Sequence, residues 1–210
     1  MKAIATWFGL LLGAGALLLQ FSLTIPARLA QDDPLVSALV FFFSFFTILS
    51  NLALVLVYAS ELWPRHALSW FRRPLTRGMM VALIILVMVF YHLLLAPAWS
   101  PEGLFRVADV LLHYATPVFY VVWWVLFMRH GTLKFGDIPR MLLPPTIYLV
   151  YVMLRGALIS QYPYPILEAN RLGYAAVTLN VLGVLVGLTA LCAAVIAIDR
   201  LLTRIDLPGP

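Results

Sequence analysis

The sequence predicts an all-α polytopic membrane protein, a bundle of six transmembrane helices with both termini in the cytoplasm. Three observations predict it. Of the 210 residues, 63% are apolar and only 11% charged, with a mean hydropathy of +0.98, a balance that water-soluble domains of this size do not have. Apolar runs recur at the length of about 20 residues that a hydrocarbon core of roughly 30 Å requires. Lys and Arg, finally, are shared unequally between alternate loops.

The six predicted spans run approximately from Ile4 to Ile25, Leu35 to Tyr58, Met79 to Pro97, Leu104 to Met128, Met141 to Ile159 and Tyr174 to Leu201. They consume most of the chain, so residues 1–210 are expected to form a single membrane domain. Lys2 precedes the first span as it would precede a secretory leader. The run is longer than a leader's apolar region and no small-x-small site ends it, so it reads as a span.

Orientation follows from the basic residues. Lys2, the loop holding Arg65, Arg72, Arg73 and Arg77, the loop holding Arg129, Lys134 and Arg140, and the tail with Arg200 and Arg204 fall on one side. Arg28, Arg106, Arg155 and Arg171 alone fall on the other. The richer side is expected to be cytoplasmic. The net charge of +5 then reads as topology and contact with anionic headgroups, and no nucleic-acid partner is expected. Cys192 is the single cysteine, so no internal disulfide can form.

Much of the rest is ordinary membrane architecture. GLLLG (Gly9 to Gly13) and GVLVG (Gly183 to Gly187) have the small-xxx-small spacing that lets helix backbones approach closely. Packing within the chain is one reading of both, and a homodimer face, particularly through Gly183 and Gly187, is the other. Trp63, Trp70 and Trp99 sit near span ends as interfacial anchors, and the basic aromatic loop WPRHALSWFRRPLTRG suits an inner membrane surface. There is no internal repeat, Walker A loop or HExxH signature.

Polar residues at membrane depth need a reason, because placing them in lipid is costly. Ser44, Thr47, Ser50 and Asn51 recur at helical spacing in the second span. Asp109 and His113 are one turn apart in the fourth, and Tyr120 continues their face. The fifth span offers Tyr148, Tyr151 and Arg155, the sixth Asn180, and the third His92. At about 1.5 Å per residue, His113 lies roughly 14 Å and Thr47 roughly 18 Å below the outer boundary. These groups therefore converge in the outer half of the membrane, which predicts a shared polar cavity. Pro117 removes the backbone bond to the His113 carbonyl, so the helix should bend where the ring sits.

Each residue also has a plainer role open to it. Thr47 can bond the carbonyl four residues back, His113 a neighbouring helix, Asp109 either His113 or Arg155, and Arg155 can extend to the outer interface.

FFTILSN in the second span, HYATP in the fourth and YPYPILEANRLGY leading into the sixth resemble the androgen-induced six-transmembrane proteins and their bacterial relatives. The resemblance spans essentially the whole chain in span number and motif order, and its most specific piece is Tyr164, Pro165, Leu167 and Glu168. It implies an intramembrane threonine hydrolase that cleaves fatty acid esters of hydroxy fatty acids or similar long-chain esters, in a bacterial inner membrane. It places Thr47 as nucleophile and His113 as its histidine. One residue fewer separates His113 from the following proline than in the animal pattern.

The chemistry is coherent. A threonine hydroxyl attacks once a base takes its proton, and histidine suits that task. Asp109 is positioned to orient the ring, while Asn51, Asn180, Arg155 and Glu168 are the candidate supporting or oxyanion groups. Phe41, Phe42, Phe43, Phe45 and Phe46 offer a lining for acyl chains. No cofactor or metal is expected, and membrane lipids or a lipid ester are the expected partners. Two other classes stand beside this one: a lipid or small-molecule binding or transport protein using the same cavity, and a haem protein ligated by His92 and His113, which visible absorbance would reveal.

Overall fold

A computed structural model describes residues 1–98 and 100–204, so that Trp99, one of the expected anchors, lies outside the described residues. The described chain is all helical. Helix α1 (Lys2–Leu29) is followed by α2 (Leu35–Phe43), α3 (Phe46–Leu62), α4 (Pro74–Phe90), α5 (Gly103–Val110), α6 (Thr116–Phe127), α7 (Ile138–Ile159), the single turn α8 (Ala169–Leu172) and α9 (Tyr174–Arg204). Five helical segments are each long and apolar enough to cross a membrane: Lys2–Leu29, Pro74–Ala98, Gly103–Phe127, Phe135–Ile159 and Tyr174–Thr203. The pair α2 and α3 makes a sixth if counted as one span.

That pair is the first departure from the sequence reading, which expects one continuous helix from Leu35 to Tyr58. The axes of α2 and α3 differ by 75°. Phe45 between them is extended, with φ −85° and ψ 129°. Neither glycine nor proline marks the break in FFFSFFT. Side chains from distant elements hold it instead, because a broken helix frees backbone groups that must find partners in an apolar interior. The Tyr148 hydroxyl donates to the Ser44 carbonyl at 2.8 Å. The Phe46 amide donates to the Tyr164 hydroxyl oxygen at 2.9 Å.

Two further irregularities are π turns, wider than an α-helix by one residue. One, Tyr91–Leu95, continues α4. The other, Leu111–Ala115, joins α5 to α6 and contains His113. The second stands where a bend is expected ahead of Pro117: with no N–H at residue 117, the ladder opens by a residue instead and the span stays a single helix. The extra residue rotates everything beyond it off the Asp109 and His113 face. Tyr120 therefore does not continue that face, as the sequence reading expects. It is fully buried elsewhere and donates to the Arg77 carbonyl at 3.1 Å.

Helix α4 forms the centre of the main apolar core, packed on α3, α6 and α9. A second cluster joins Ala16 and Ile25 of α1 to Ala38 and Phe42 of α2, Ile48 and Leu112. A third joins Val152 of α7 to Leu167, Ala169 and Val177. Gly9 and Gly13 bring α1 onto α3, since a Cβ at Gly9 would run into the rings of Tyr58 and Phe119 and one at Gly13 into Val55. A Cβ at Gly183 or Gly187 would meet nothing within 4 Å among the described residues. At the end of the bundle away from Arg28, Glu61 pairs with Lys2 at 2.9 Å and with Arg77. Buried Asp199 there accepts the Gly131 and Leu133 amides, both at 2.9 Å, and meets His130 Nδ1 at 3.2 Å, which ties down the turn after α6.

Candidate active site

The three irregularities face one another, and each supplies one functional side chain. The break before α3 puts Thr47 in the first turn of that helix. The carbonyl four residues back, that of Phe43, belongs to α2 across the break, so Thr47 has none to bond within its own helix. Thr6, Thr146, Thr178, Thr189 and Thr203 all make that bond. Thr47 instead turns Oγ1 toward His113 Nε2, 3.3 Å away, the looser end of nucleophile-to-base reach that sites without substrate show.

The other histidine nitrogen is held by the preceding turn. His113 Nδ1 lies 3.1 Å from Asp109 Oδ1 and 3.0 Å from the Asp109 carbonyl oxygen. Both are acceptors, so the proton belongs on Nδ1 and leaves Nε2 free to accept from Thr47. Asp109 Oδ2 in turn accepts the Tyr91 hydroxyl at 2.5 Å. The Tyr91 ring stacks on His113, centroids 3.8 Å apart and planes 12° from parallel. Asp109 and His113 are mostly buried, with 13% and 14% of their side chains exposed.

Thr47 stands where two cavities meet. The larger, about 550 Å³, has Gln20, Thr24, Arg28, Asp109 and His113 in its wall together with Phe41, Phe42 and Phe45. The smaller, about 200 Å³, lies between α4, α7 and α9 and is almost wholly apolar, lined by residues such as Phe46, Leu86, Phe90, Leu149 and Leu188. Thr47, Tyr91, Leu95 and Tyr164 border both. Four of the five phenylalanines that open the second span thus line a cavity, while Phe43 is 42% exposed on the outside.

The remaining candidates are placed otherwise. Asn51 is fully buried, its amide donates to the Thr47 and Leu112 carbonyls at 2.8 and 3.2 Å, and its oxygen accepts the Thr116 hydroxyl. Both amide hydrogens are committed, so Asn51 ties α3 to the π turn behind the site. Ser50 bonds the Phe46 and Thr47 carbonyls of its own helix. Ser44 bonds the Val40 carbonyl and lies 3.3 Å from the Tyr151 hydroxyl. His92, next to Tyr91, faces away to Tyr114, with Nδ1 3.1 Å from that hydroxyl. It therefore shares no site with His113, which removes the paired axial ligation the haem reading needs. No cluster of three or more His, Cys, Asp or Glu is arranged to hold a metal among the described residues.

Arg155, Asn180 and Glu168 all serve the segment between α7 and α9. The Arg155 guanidinium donates to the backbone and side-chain oxygens of Gln161 at 2.9 and 3.0 Å. The Asn180 amide donates to the Ile166 carbonyl at 2.9 Å, and Glu168 pairs with Arg171 at 2.8 Å. Gly156 lets the Tyr162 ring lie against α7, where any Cβ would overlap it. The product of this bracing is the position of Tyr164, whose ring packs edge-on against Phe45 and Phe90. Tyr91 and Tyr164 are the site residues that periodicity misses. Tyr91 belongs to a π turn and Tyr164 to a loop, so neither falls on a helical stripe; the one signal for Tyr164 is its place in the YP-x-LE segment.

No family model, curated protein or solved structure matches the chain.

Proposed function

We propose that the protein is an intramembrane hydrolase of long-chain lipid esters in which Thr47 is the nucleophile and His113 the general base. The observation that carries this reading is the chain of contacts from Thr47 Oγ1 to His113 Nε2 and from His113 Nδ1 to Asp109, set at the junction of two apolar-walled cavities. The resemblance of FFTILSN, HYATP and YPYPILEANRLGY to the androgen-induced six-transmembrane proteins points the same way. Thr47 Oγ1 attacks the ester carbonyl carbon as its proton passes to His113 Nε2, and the carbonyl π electrons move to oxygen. Collapse of that intermediate expels the alcohol, which takes the proton from His113, and leaves the acyl group on Thr47. Water then attacks, gives its proton to His113, and releases the acid as the Thr47 hydroxyl is restored.

The same reading counts α2 and α3 as one bent span, making six, with both termini on the cytoplasmic side of a bacterial inner membrane. The larger cavity then opens near the outer face, since Arg28 and Gln20 in its wall lie toward the distal end of α1.

A binding or transport protein is the alternative, and the break between α2 and α3 favours it, because discontinuous helices frame substrate sites in transporters. Turnover separates the two. The purified protein should hydrolyse 4-methylumbelliferyl oleate in detergent micelles, and Thr47→Ala and His113→Ala should each abolish this, with the double variant no worse than either single. Thr47→Ser should retain part of the rate. Full turnover by a folded Thr47→Ala would exclude the threonine mechanism; a lipid that copurifies with an inactive wild type would support binding or transport.

A further inference from the structure

Hydrolysis at Thr47 requires a donor for the negative charge that forms on the carbonyl oxygen. The side-chain candidates that sequence offers are committed elsewhere. Both amide hydrogens of Asn51 go to carbonyls, Arg155 is bound to Gln161, and the Asn180 amide is bound to Ile166. The Tyr91 hydroxyl is spent on Asp109.

We propose that the Tyr164 hydroxyl is a catalytic residue of this site, donating the hydrogen bond that stabilises the oxyanion formed by attack of Thr47. The proposal rests on the hydrolase reading above and names the group that reading lacks. Tyr164 reaches Thr47 from the segment between α7 and α9 and borders both cavities where they join. Its oxygen accepts the Phe46 amide at 2.9 Å, one of the free N–H groups at the positive end of α3. A hydroxyl whose oxygen already accepts from such a donor is polarised and becomes a better donor itself. Burial pushes the phenol above its ordinary value, so the group stays neutral with its proton in place. When Thr47 Oγ1 bonds the carbonyl carbon, the π electron pair moves to the carbonyl oxygen and Tyr164 O–H donates to it without losing the proton. Collapse returns the pair to the carbonyl and relaxes the bond.

The placement also accounts for the bracing of the segment. Arg155 and Asn180 hold it at two points, and Gly156 admits Tyr162 beside α7. Rigidity of that order serves a donor that must be in position before charge develops.

The test compares Tyr164→Phe with Thr47→Ala and wild type on 4-methylumbelliferyl oleate. Tyr164→Phe keeps the ring packing and should lower kcat by about 10²-fold to 10³-fold, with KM held within about threefold. Affinity for hexadecyl trifluoromethyl ketone, which forms a tetrahedral adduct, should fall by a comparable factor, while affinity for the non-cleavable 4-methylumbelliferyl octadecyl ether should not change. A kcat within about twofold of wild type, alongside an inactive Thr47→Ala, overturns the role of Tyr164 and leaves the hydrolase reading intact. Equal weakening of ketone and ether marks a structural role and overturns it too. An active Thr47→Ala, or a wild type that cleaves no ester, removes both. Should Tyr164→Phe not fold, 3-fluorotyrosine at position 164 keeps the packing and the acceptor and sharpens the donor; ketone affinity must then change, and constancy overturns the proposal.

Discussion

Tyr91 lies flat on His113, with ring centroids 3.8 Å apart, and its hydroxyl donates to the same Asp109 carboxylate that meets the histidine's Nδ1. One tyrosine thus holds the proposed base by its face and the orienting group by a hydrogen bond. Both partners belong to π turns, Tyr91 to Tyr91–Leu95 and His113 to Leu111–Ala115.

Tyr91→Phe keeps the stack and removes the donor. Loss of one hydrogen bond to a charged group, about 1.5 to 3 kcal/mol, should lower kcat roughly tenfold to hundredfold. Steady-state turnover of the fluorogenic ester checks this, with the unfolding midpoint as control. A rate equal to wild type would mean that Asp109 orients His113 without the Tyr91 hydroxyl.

Asn51→Leu is expected to act on stability. The substitution keeps the branched heavy-atom skeleton but removes the amide, so the Leu112 carbonyl loses its Asn51 donor and the Thr116 hydroxyl its Asn51 acceptor, leaving only their long mutual bond at 3.4 Å. Each unsatisfied group costs about 1 to 3 kcal/mol. The thermal unfolding midpoint in detergent should drop measurably. If Asn51→Leu instead unfolds like wild type and loses turnover selectively, the amide faces substrate after all.

Topology is checked by cysteine labelling in intact cells after Cys192→Ala. Cys192 is buried, so the replacement chiefly removes residual background. A reagent that cannot cross the membrane should modify cysteines placed between Glu168 and Arg171 and spare those placed between Arg65 and Arg77. The reverse pattern would invert the assignment drawn from Lys and Arg.

The class of the protein and the position of its long apolar helices are legible in the sequence, because hydrophobicity and length are additive along a chain and need no tertiary information. The polar stripes at Thr47, Asn51, Asp109 and His113 are legible for the same reason, since a helical period alone places residues on a common face. That Thr47 meets His113 and that Asp109 meets its other nitrogen extends that pattern by one step of packing.

Tertiary structure decided the rest. The break at Phe45 has no local signal; phenylalanines and a serine continue a helix as readily as they end one. It exists because the hydroxyls of Tyr148 and Tyr164, each more than 100 residues away in sequence, satisfy the backbone groups that breaking exposes. The break in turn denies Thr47 its ordinary bond within the helix and frees its hydroxyl. The π turn at Leu111–Ala115 likewise moved Tyr120 off the face that simple periodicity assigns it. Arg155 and Asn180 point to the segment carrying Tyr164 and away from Thr47, because a side chain's partner is set by which helix lies beside it. Periodicity along a single helix carries no record of that neighbour.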